Sequence, residues 1–303
     1  MKLLFKLFFN FLFILLSSAQ VYAAACCGGG GAVPAIISGD DEAQVSTSIS
    51  TTEVIVNNVD SSGVWRKWDQ TQKVQTFKID AAHIFSDRWQ AGISLPVMQR
   101  TLNEQTYSGL SDISVSVGYE VLPEWNYSPW RPKGISFMQL TVPTGQSKFE
   151  SEVGGLDSRG NGFWALGIGT LLTKTFVNWD AFSTIEIHAS RTQDIQTNSF
   201  QGNVKPGYGG NLGIGLGYNV TDYRMGSSVT WTYEDPIDTE SNSGIIQKGS
   251  VERYATAVAS LSYLANDQWS GTVSYSDQTL IGSPLNTSLG RGVAVQLQRR
   301  WGR

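Results

Sequence analysis

The chain has 303 residues, with 22 Lys and Arg against 26 Asp and Glu, and its aromatic residues comprise 10 Trp, 11 Tyr and 13 Phe. A net charge of −4 without any run of Lys or Arg argues against nucleic-acid binding, because phosphate backbones are bound by clustered cations. The 2 Cys residues are adjacent, so the separated ligand pairs of a structural zinc site are missing. We therefore expect no nucleic-acid partner, no metal ion and no cofactor.

Residues 1–25 have the pattern of an export signal. Lys2 and Lys6 give a positive start, and residues 7–16 form an apolar stretch broken only by Asn10. This order is typical of a secretory signal peptide, and the apolar stretch is too short to cross a bilayer as a helix. We predict that residues 1–25 are a signal peptide.

The end of the signal leaves two cleavage positions open. Cleavage after Ala23 and cleavage after Ala25 both follow small residues, and the second leaves Cys26 at the mature terminus. The three alanines before Cys26 resemble a weak lipobox, so Cys26 is a candidate lipidation site. The alternative is an exposed cysteine pair in a flexible segment. Residues 26–44 are rich in Gly, and we interpret them as a mobile periplasmic tail.

Apolar and polar residues alternate with period two along much of residues 45–303, which is the pattern of half-buried strands. Clear examples are Trp89 to Val97, Ile113 to Val121, Leu212 to Val220 and Met225 to Tyr233. We predict about twelve strands, at residues 45–56, 72–85, 88–100, 110–122, 134–143, 163–176, 180–195, 208–219, 223–234, 252–264, 268–278 and 291–301.

The connections between these strands alternate in length. Every second connection is a long polar segment, at 57–71, 101–109, 144–162, 196–207, 235–251 and 279–290, and most of the connections between these are short. An even number of strands with tight turns on one rim and long loops on the other is typical of an outer-membrane barrel. The prediction is an all-β fold: a transmembrane, antiparallel, up-and-down β-barrel spanning residues 45–303, in the outer membrane of a Gram-negative bacterium, with both termini in the periplasm.

Tryptophan placement supports the same fold. Amphipathic rings at strand ends suit the aromatic girdles that lie at the two membrane interfaces. Five tryptophans lie at or near predicted strand ends: Trp89, Trp164, Trp179, Trp269 and Trp301. Lipids of the outer membrane are therefore expected around the barrel.

Several charged residues fall on the polar phase of their strands, where they would line the lumen. A charge on the lipid face is unfavourable, so we expect these side chains to point inward. They are Lys78, Asp80, Glu120, Glu186, His188 and Arg224. Two interpretations stand: the charges select a solute, or they pair with one another and rigidify the wall. Residues 134–142 are ambiguous, because Ile135 and Phe137 compete with Met138 and Leu140 for the outward phase.

Catalysis receives little support from the sequence. His188 lies two residues from Glu186, which puts both on one face of a strand, with Ser190 nearby. That arrangement keeps an outer-membrane hydrolase using His188 as an alternative. We expect that the chain is not an enzyme.

Three short motifs in order resemble a known family. Gly109 and Asp112 precede an alternating strand, residues 140–145 end in Pro143-Thr144-Gly145, and a Gly-rich stretch at 160–169 opens the next strand. This series is similar to the outer-membrane proteins of the MetA-pathway phenol-degradation type, which are described as transporters. The resemblance covers about residues 72–190.

The resemblance implies a twelve-stranded barrel that passes small, rather apolar molecules. Two features depart from the family pattern: the Cys26-Cys27-Gly28 segment, and an ending on Trp301-Gly-Arg303 where barrels more usually end on the aromatic residue. Recognition by the barrel-assembly machinery is nevertheless expected. The predicted function is an outer-membrane channel for a small-molecule solute, and the alternatives are the hydrolase or a closed structural or adhesive barrel.

Overall fold

The computed structural model describes residues 33–68, 71–125, 128–151, 153, 155–197 and 200–302. The predicted signal peptide at 1–25 and Cys26 lie outside the described residues, so both stay predictions. Within the described part, the strands are β1 (Asp41–Val59), β2 (Trp65–Arg66), β3 (Gln72–Ser86), β4 (Trp89–Leu102), β5 (Gln105–Leu110), β6 (Ile113–Leu122), β7 (Lys133–Val142), β8 (Ala165–Thr175), β9 (Trp179–Ser190), β10 (Gln193–Gln196), β11 (Gln201–Lys205), β12 (Tyr208–Val220), β13 (Tyr223–Glu234), β14 (Asp238–Ser241), β15 (Ile246–Gln247), β16 (Glu252–Leu264), β17 (Trp269–Asp277) and β18 (Thr287–Gly302).

Twelve of the described strands form a closed antiparallel barrel. Their order around the barrel is β1, β3, β4, β6, β7, β8, β9, β12, β13, β16, β17 and β18. Closure comes from β1 and β18, which pair from Asp41 opposite Gly302 to Val59 opposite Thr287. Each barrel strand pairs with its neighbours in chain order, so the predicted up-and-down topology with twelve strands is confirmed.

The two rims of the barrel differ as expected. Thr221-Asp222 joins β12 to β13, and residues 176–178 join β8 to β9, whereas the opposite rim carries the long connections. The start of β1 and the end of β18 both lie on the short-turn rim. In outer-membrane barrels this rim faces the periplasm.

The barrel wall has an apolar exterior. On β12, Ile214 and Leu216 are about half exposed, at 47% and 56%, while the alternate positions are buried glycines. One of these, Gly215, is needed for space, because a Cβ there would collide with the ring of Phe182 on β9. An exterior of exposed aliphatic side chains on a closed sheet is what a bilayer requires, since no backbone edge is left unpaired.

Aromatic pairs mark the short-turn rim. The ring centroids of Trp179 and Tyr218 lie 4.6 Å apart, and those of Trp89 and Tyr119 lie 4.8 Å apart. These pairs belong to the aromatic girdle at the short-turn rim, one of the two girdles that the tryptophan positions predicted. None of the described residues forms a helix long and apolar enough to cross a membrane.

Three details differ from the sequence-based expectations. Residues 101–109 are not a loop, because β4 and β5 form a hairpin around Asn103, whose φ of 53° lies in the left-handed region. Strand β1 begins at Asp41 rather than at residue 45, so the tail is shorter than expected. The long connections also contain a second sheet of β10, β11, β14 and β15.

This second sheet is attached to the barrel mouth by an apolar cluster. Its alternating segments are only two to five residues long, too short for the period-two pattern to reveal them. The cluster is made by Phe163, Ile195 and Val204, with Phe149, Phe200 and Ile237 packed against it. The loop side of the barrel is therefore a folded layer.

The free-energy cost of a charged side chain on the lipid face depends on its depth in the bilayer, and this dependence tests which face of β12 points outward. Ile214→Arg places a cation near the middle of the apolar band, and we expect the free energy of unfolding to fall by about 2–4 kcal/mol. Val220→Arg, on the same face of β12 beside the short turn, is the matched control and should lower it by about 0–1 kcal/mol. Denaturant titration of both variants folded into vesicles measures the difference, and equal losses would contradict the assignment.

Candidate functional site: the occupied lumen

The residues before β1 turn into the barrel rather than away from it. We call residues 33–40 the tail segment. The Ile37 backbone N–H donates to Gln90 Oε1 at 2.6 Å, and Gln90 Nε2 donates to the Ile37 carbonyl at 3.2 Å. The Ser116 hydroxyl donates to the Ala35 carbonyl at 3.2 Å. Because Gln90 and Ser116 lie on the inward phase of β4 and β6, the tail segment occupies the lumen.

An apolar patch on the inner wall receives the tail segment. Ile36 and Ile37 are buried, at 7% and 1% exposure. Ile36 packs in a cluster formed by Ile135, Phe137 and Leu171, with Phe182 against it. An apolar segment therefore fills this part of the barrel, against inward residues that are themselves apolar.

The same contact decides the face of β7 that the sequence left ambiguous. Ile135 and Phe137 point inward, at 1% and 4% exposure, whereas Met138 and Leu140 point outward, at 50% and 40%. Both phases of the strand are apolar because one contacts lipid and the other contacts Ile36. The alternation pattern alone cannot separate these two environments.

A glycine on β4 allows the tail segment to approach the wall. A Cβ at Gly92 would collide with the carbonyl oxygen of Ala35. Glycine at this inward position therefore makes room for the tail backbone.

The base of the tail segment is held by charge at the short-turn rim. Lys133 Nζ donates to the Gly39 carbonyl at 3.0 Å and lies 3.6 Å from Asp40 Oδ1. It also lies 3.6 Å from Glu120 Oε1. Glu120, predicted to line the lumen, thus helps to position the lysine that contacts the tail.

The other predicted lumen charges are paired as well. Lys78 Nζ lies 2.8 Å from Asp80 Oδ2. Arg224 donates two hydrogen bonds to Asp180, at 2.8 and 2.5 Å. This pairing is what the second interpretation of the charges predicts, and solute selection by them stays a prediction.

His188 lies at the centre of a polar cluster nearer the loop side. Its Nδ1 is 3.0 Å from Glu186 Oε1, and its Nε2 is 3.1 Å from Glu234 Oε2. Asn211 donates to Glu186 at 2.9 Å and accepts from Thr232 at 2.8 Å. Glu234 was missed by the sequence analysis because it comes from β13, a strand that is not adjacent to β9.

The His188 cluster lacks the arrangement of a hydrolase. Both ring nitrogens face carboxylates, and among the described residues no serine hydroxyl is hydrogen-bonded to His188. A catalytic histidine needs one nitrogen free to take the proton of a nucleophile. Among the residues that the structure describes, no group of three or more His, Cys, Asp or Glu side chains is placed to hold a metal ion.

The family-like motif residues converge at one point of the wall. Between β5 and β6, Asp112 accepts backbone N–H groups from Gly145 at 3.0 Å and from Asn161 and Gly162 at 2.7 and 3.4 Å. The two motifs are 33 residues apart in sequence, and this carboxylate joins them. Asp112 therefore anchors both ends of the loop 144–162.

Thr144 and Gly109 complete this anchor. The Thr144 hydroxyl donates to the Ser111 carbonyl at 2.6 Å and accepts from the Ile113 N–H at 3.1 Å. A Cβ at Gly109 would collide with the side chain of Arg159. Pro143 follows the last residue of β7 and has no N–H to continue the ladder. The motif residues thus serve the loop attachment.

The structure is similar to the crystal structure of an outer membrane channel from Pseudomonas putida F1. The TM-score is 0.66 at 10% sequence identity, and the match covers 88% of this chain and 100% of that chain. No protein-family model and no curated protein matches the sequence. The chain is a closed, twelve-stranded antiparallel β-barrel. At this identity the likeness shows the fold alone, and it confirms the fold that the family resemblance implied.

Two further solved structures resemble the barrel less closely. The NanC porin has a TM-score of 0.46 at 11% identity, with 84% of this chain and 98% of that chain covered. The outer membrane phospholipase A from Escherichia coli has a TM-score of 0.40 at 11% identity, with 84% and 90% covered.

Removing the Asp112 carboxylate should release the loop 144–162. Hydrogen bonds to a charged group contribute about 1.5–3 kcal/mol, so Asp112→Ala should speed amide hydrogen exchange at Gly145 and Asn161 by about tenfold or more. Asp194→Ala is the control, because its carboxylate accepts from the exposed Gln196 side chain. Unchanged protection at Gly145 and Asn161 would show that Asp112 is not the anchor.

Proposed function

We propose that this chain is an outer-membrane channel that passes a small molecule of apolar character and that the tail segment closes it. The observation that carries the proposal is the packing of Ile36 against Ile135, Phe137 and Leu171 inside the barrel. An inward apolar patch in a transmembrane barrel provides a surface that a solute of similar character can contact when the tail segment leaves.

The contacts of the tail segment suit a gate that opens transiently. Full burial of an Ile side chain contributes about 1.5–3 kcal/mol. The two buried isoleucines and the hydrogen bonds to Gln90 and Ser116 thus contribute several kcal/mol to the binding of the tail segment inside the barrel. The entropy lost when the segment becomes ordered reduces this free energy. Such a balance leaves a minor open population without any covalent change.

The charges of the inner wall support an uncharged or weakly charged solute. The lysine and arginine among the predicted lumen charges have carboxylate partners within 4 Å, as Lys78 with Asp80 and Arg224 with Asp180, and Glu120 lies 3.6 Å from Lys133. Glu186 is hydrogen-bonded to His188. Paired charges offer a solute ion less attraction than isolated ones. The apolar patch is then the main determinant of which solutes bind.

The proposal also includes how the chain is exported and how the barrel is assembled. Strand β18 carries Trp301 at the short-turn rim, where it pairs with Ala43 on β1. We infer that the barrel-assembly machinery inserts the chain and closes it at this strand pair. The predicted signal peptide at 1–25 would deliver the chain to the periplasm, and lipidation at Cys26 would tether the tail at the membrane surface.

Deleting residues 28–40 should open the channel. The deletion ends before β1, so the barrel is kept, and we expect discrete conductance steps in a planar bilayer that are larger or more frequent than those of the full mature chain. Heat modifiability on gel electrophoresis confirms that the barrel is folded. A folded deletion variant without current would contradict the proposal and favour a closed structural barrel.

A single substitution provides an independent test of the same gate. Gly92→Leu places a side chain where the Ala35 carbonyl lies and should displace the tail segment, so current should rise without any deletion. Gly271→Leu, on the outward phase of β17, is the control for adding a leucine to the wall, because a Cβ at Gly271 meets no atom closer than 3.9 Å. Equal currents in the two variants would show that the tail segment does not limit conduction.

A further inference from the structure

A groove of 560 Å³ lies on the barrel surface beside β12. Its floor is Gly210, and Ile187 of β9 and Tyr233 of β13 are the residues directly opposite it. These positions belong to the outward phase, since Ile187 is 57% exposed and Tyr233 is 47% exposed. The groove therefore opens on the bilayer face of the sheet, and its lining also includes Glu186, Asn211 and Thr232 of the inward phase.

The walls of the groove are mostly apolar side chains. Along β12, Leu212 and Tyr208 lie below and above Gly210, and Trp231 stands opposite Leu212 on β13. Glycine is required at the floor, because a Cβ at Gly210 would lie 2.8 Å from the carbonyl oxygen of Glu186. A missing side chain between flanking Ile, Leu and aromatic residues leaves a slot with the shape of an extended hydrocarbon chain.

A cation stands at the upper end of the groove. Arg253 is opposite Tyr233 and is exposed. Its Nε donates to the Ser283 carbonyl at 2.9 Å, and this bond holds the guanidinium beside the loop between β17 and β18. Among the described residues no ion pair joins its guanidinium to a carboxylate, and the nearby Asp235 accepts from the Tyr233 hydroxyl at 3.0 Å.

The depth of Arg253 matches the headgroup level on the loop side. Strand β16 runs from Glu252 to Leu264 at the short-turn rim. With about 3.3 Å per residue and a tilt of about 40°, Arg253 lies about 28 Å above that end. The apolar band of a barrel is about 25 Å tall, so the guanidinium stands just above it, in the outer leaflet.

We propose that this groove binds a phosphorylated glycolipid of the outer leaflet, with one acyl chain running from Gly210 past Leu212 toward the middle of the bilayer and a phosphate at Arg253. Three observations support one occupant: the groove opens to the bilayer, its walls are apolar, and its single cation lies at headgroup height on the loop side. A guanidinium donates in parallel to two oxygens of a phosphate, which suits this headgroup better than a neutral one. The site is independent of the proposed channel.

Native mass spectrometry of the full mature chain in detergent tests the site, with purified lipid A as the probe and phosphatidylglycerol as the comparison lipid. We expect lipid A to bind the wild type more tightly than phosphatidylglycerol. Arg253→Gln should weaken lipid A binding by about fivefold, as expected for one surface cation facing an anionic lipid. Leu212→Trp, which fills the groove, should weaken it at least as much.

Matched controls separate the site from general effects on the surface. Arg66→Gln removes an exposed cation elsewhere, and Leu216→Trp adds the same ring four residues along the exterior of β12. Both should bind lipid A like the wild type, and heat modifiability should show that all variants are folded. The proposal is overturned if either Arg253→Gln or Leu212→Trp keeps wild-type affinity, or if phosphatidylglycerol binds as tightly as lipid A.

Discussion

Antiparallel pairing between β1 and β18 is the interaction on which the rest of the structure depends. It closes the sheet, so each of the twelve barrel strands has two neighbours and the alternation of side chains becomes an inside and an outside. It also fixes where the tail segment starts, because β1 begins at Asp41 on the short-turn rim, beside the lumen entrance. A chain leaving β1 at this point reaches Gln90 and Ser116 within a few residues.

Closure also explains how the wall tolerates so many polar residues. Inward charges lie near one another in a narrow space. The observed pairs lie within one strand, as Lys78 with Asp80, or span a strand, as Asp180 of β9 with Arg224 of β13 across β12. Each pair satisfies its charges locally and stiffens the wall. The apolar patch at Ile135 and Phe137 is the exception, and it is the part of the wall that the tail segment covers.

Much of the fold was predictable because strand period and loop length are local properties of the sequence. Residues 208–220 show this best, since their outward aliphatic residues alternate with inward glycines. The contacts of the site were not predictable to the same extent. Glu234 reaches His188 from another strand, and Ile135 resembles a lipid-facing residue until the tail segment is placed against it. Asp112 was identified by resemblance, but its role as a loop anchor depends on residues 33 to 50 positions away.

Covalent control of the tail segment would test the account most directly. Cysteines are introduced at Ala35 and Ser116, whose backbone oxygen and hydroxyl are 3.2 Å apart, in a chain with Cys26→Ser and Cys27→Ser, and mass spectrometry verifies that oxidation joins them. In a planar bilayer, the oxidised protein should show no conductance steps, and a reductant should restore them, while each single-cysteine variant should be unaffected by either treatment. Identical current before and after reduction would contradict the claim that the tail segment closes the barrel.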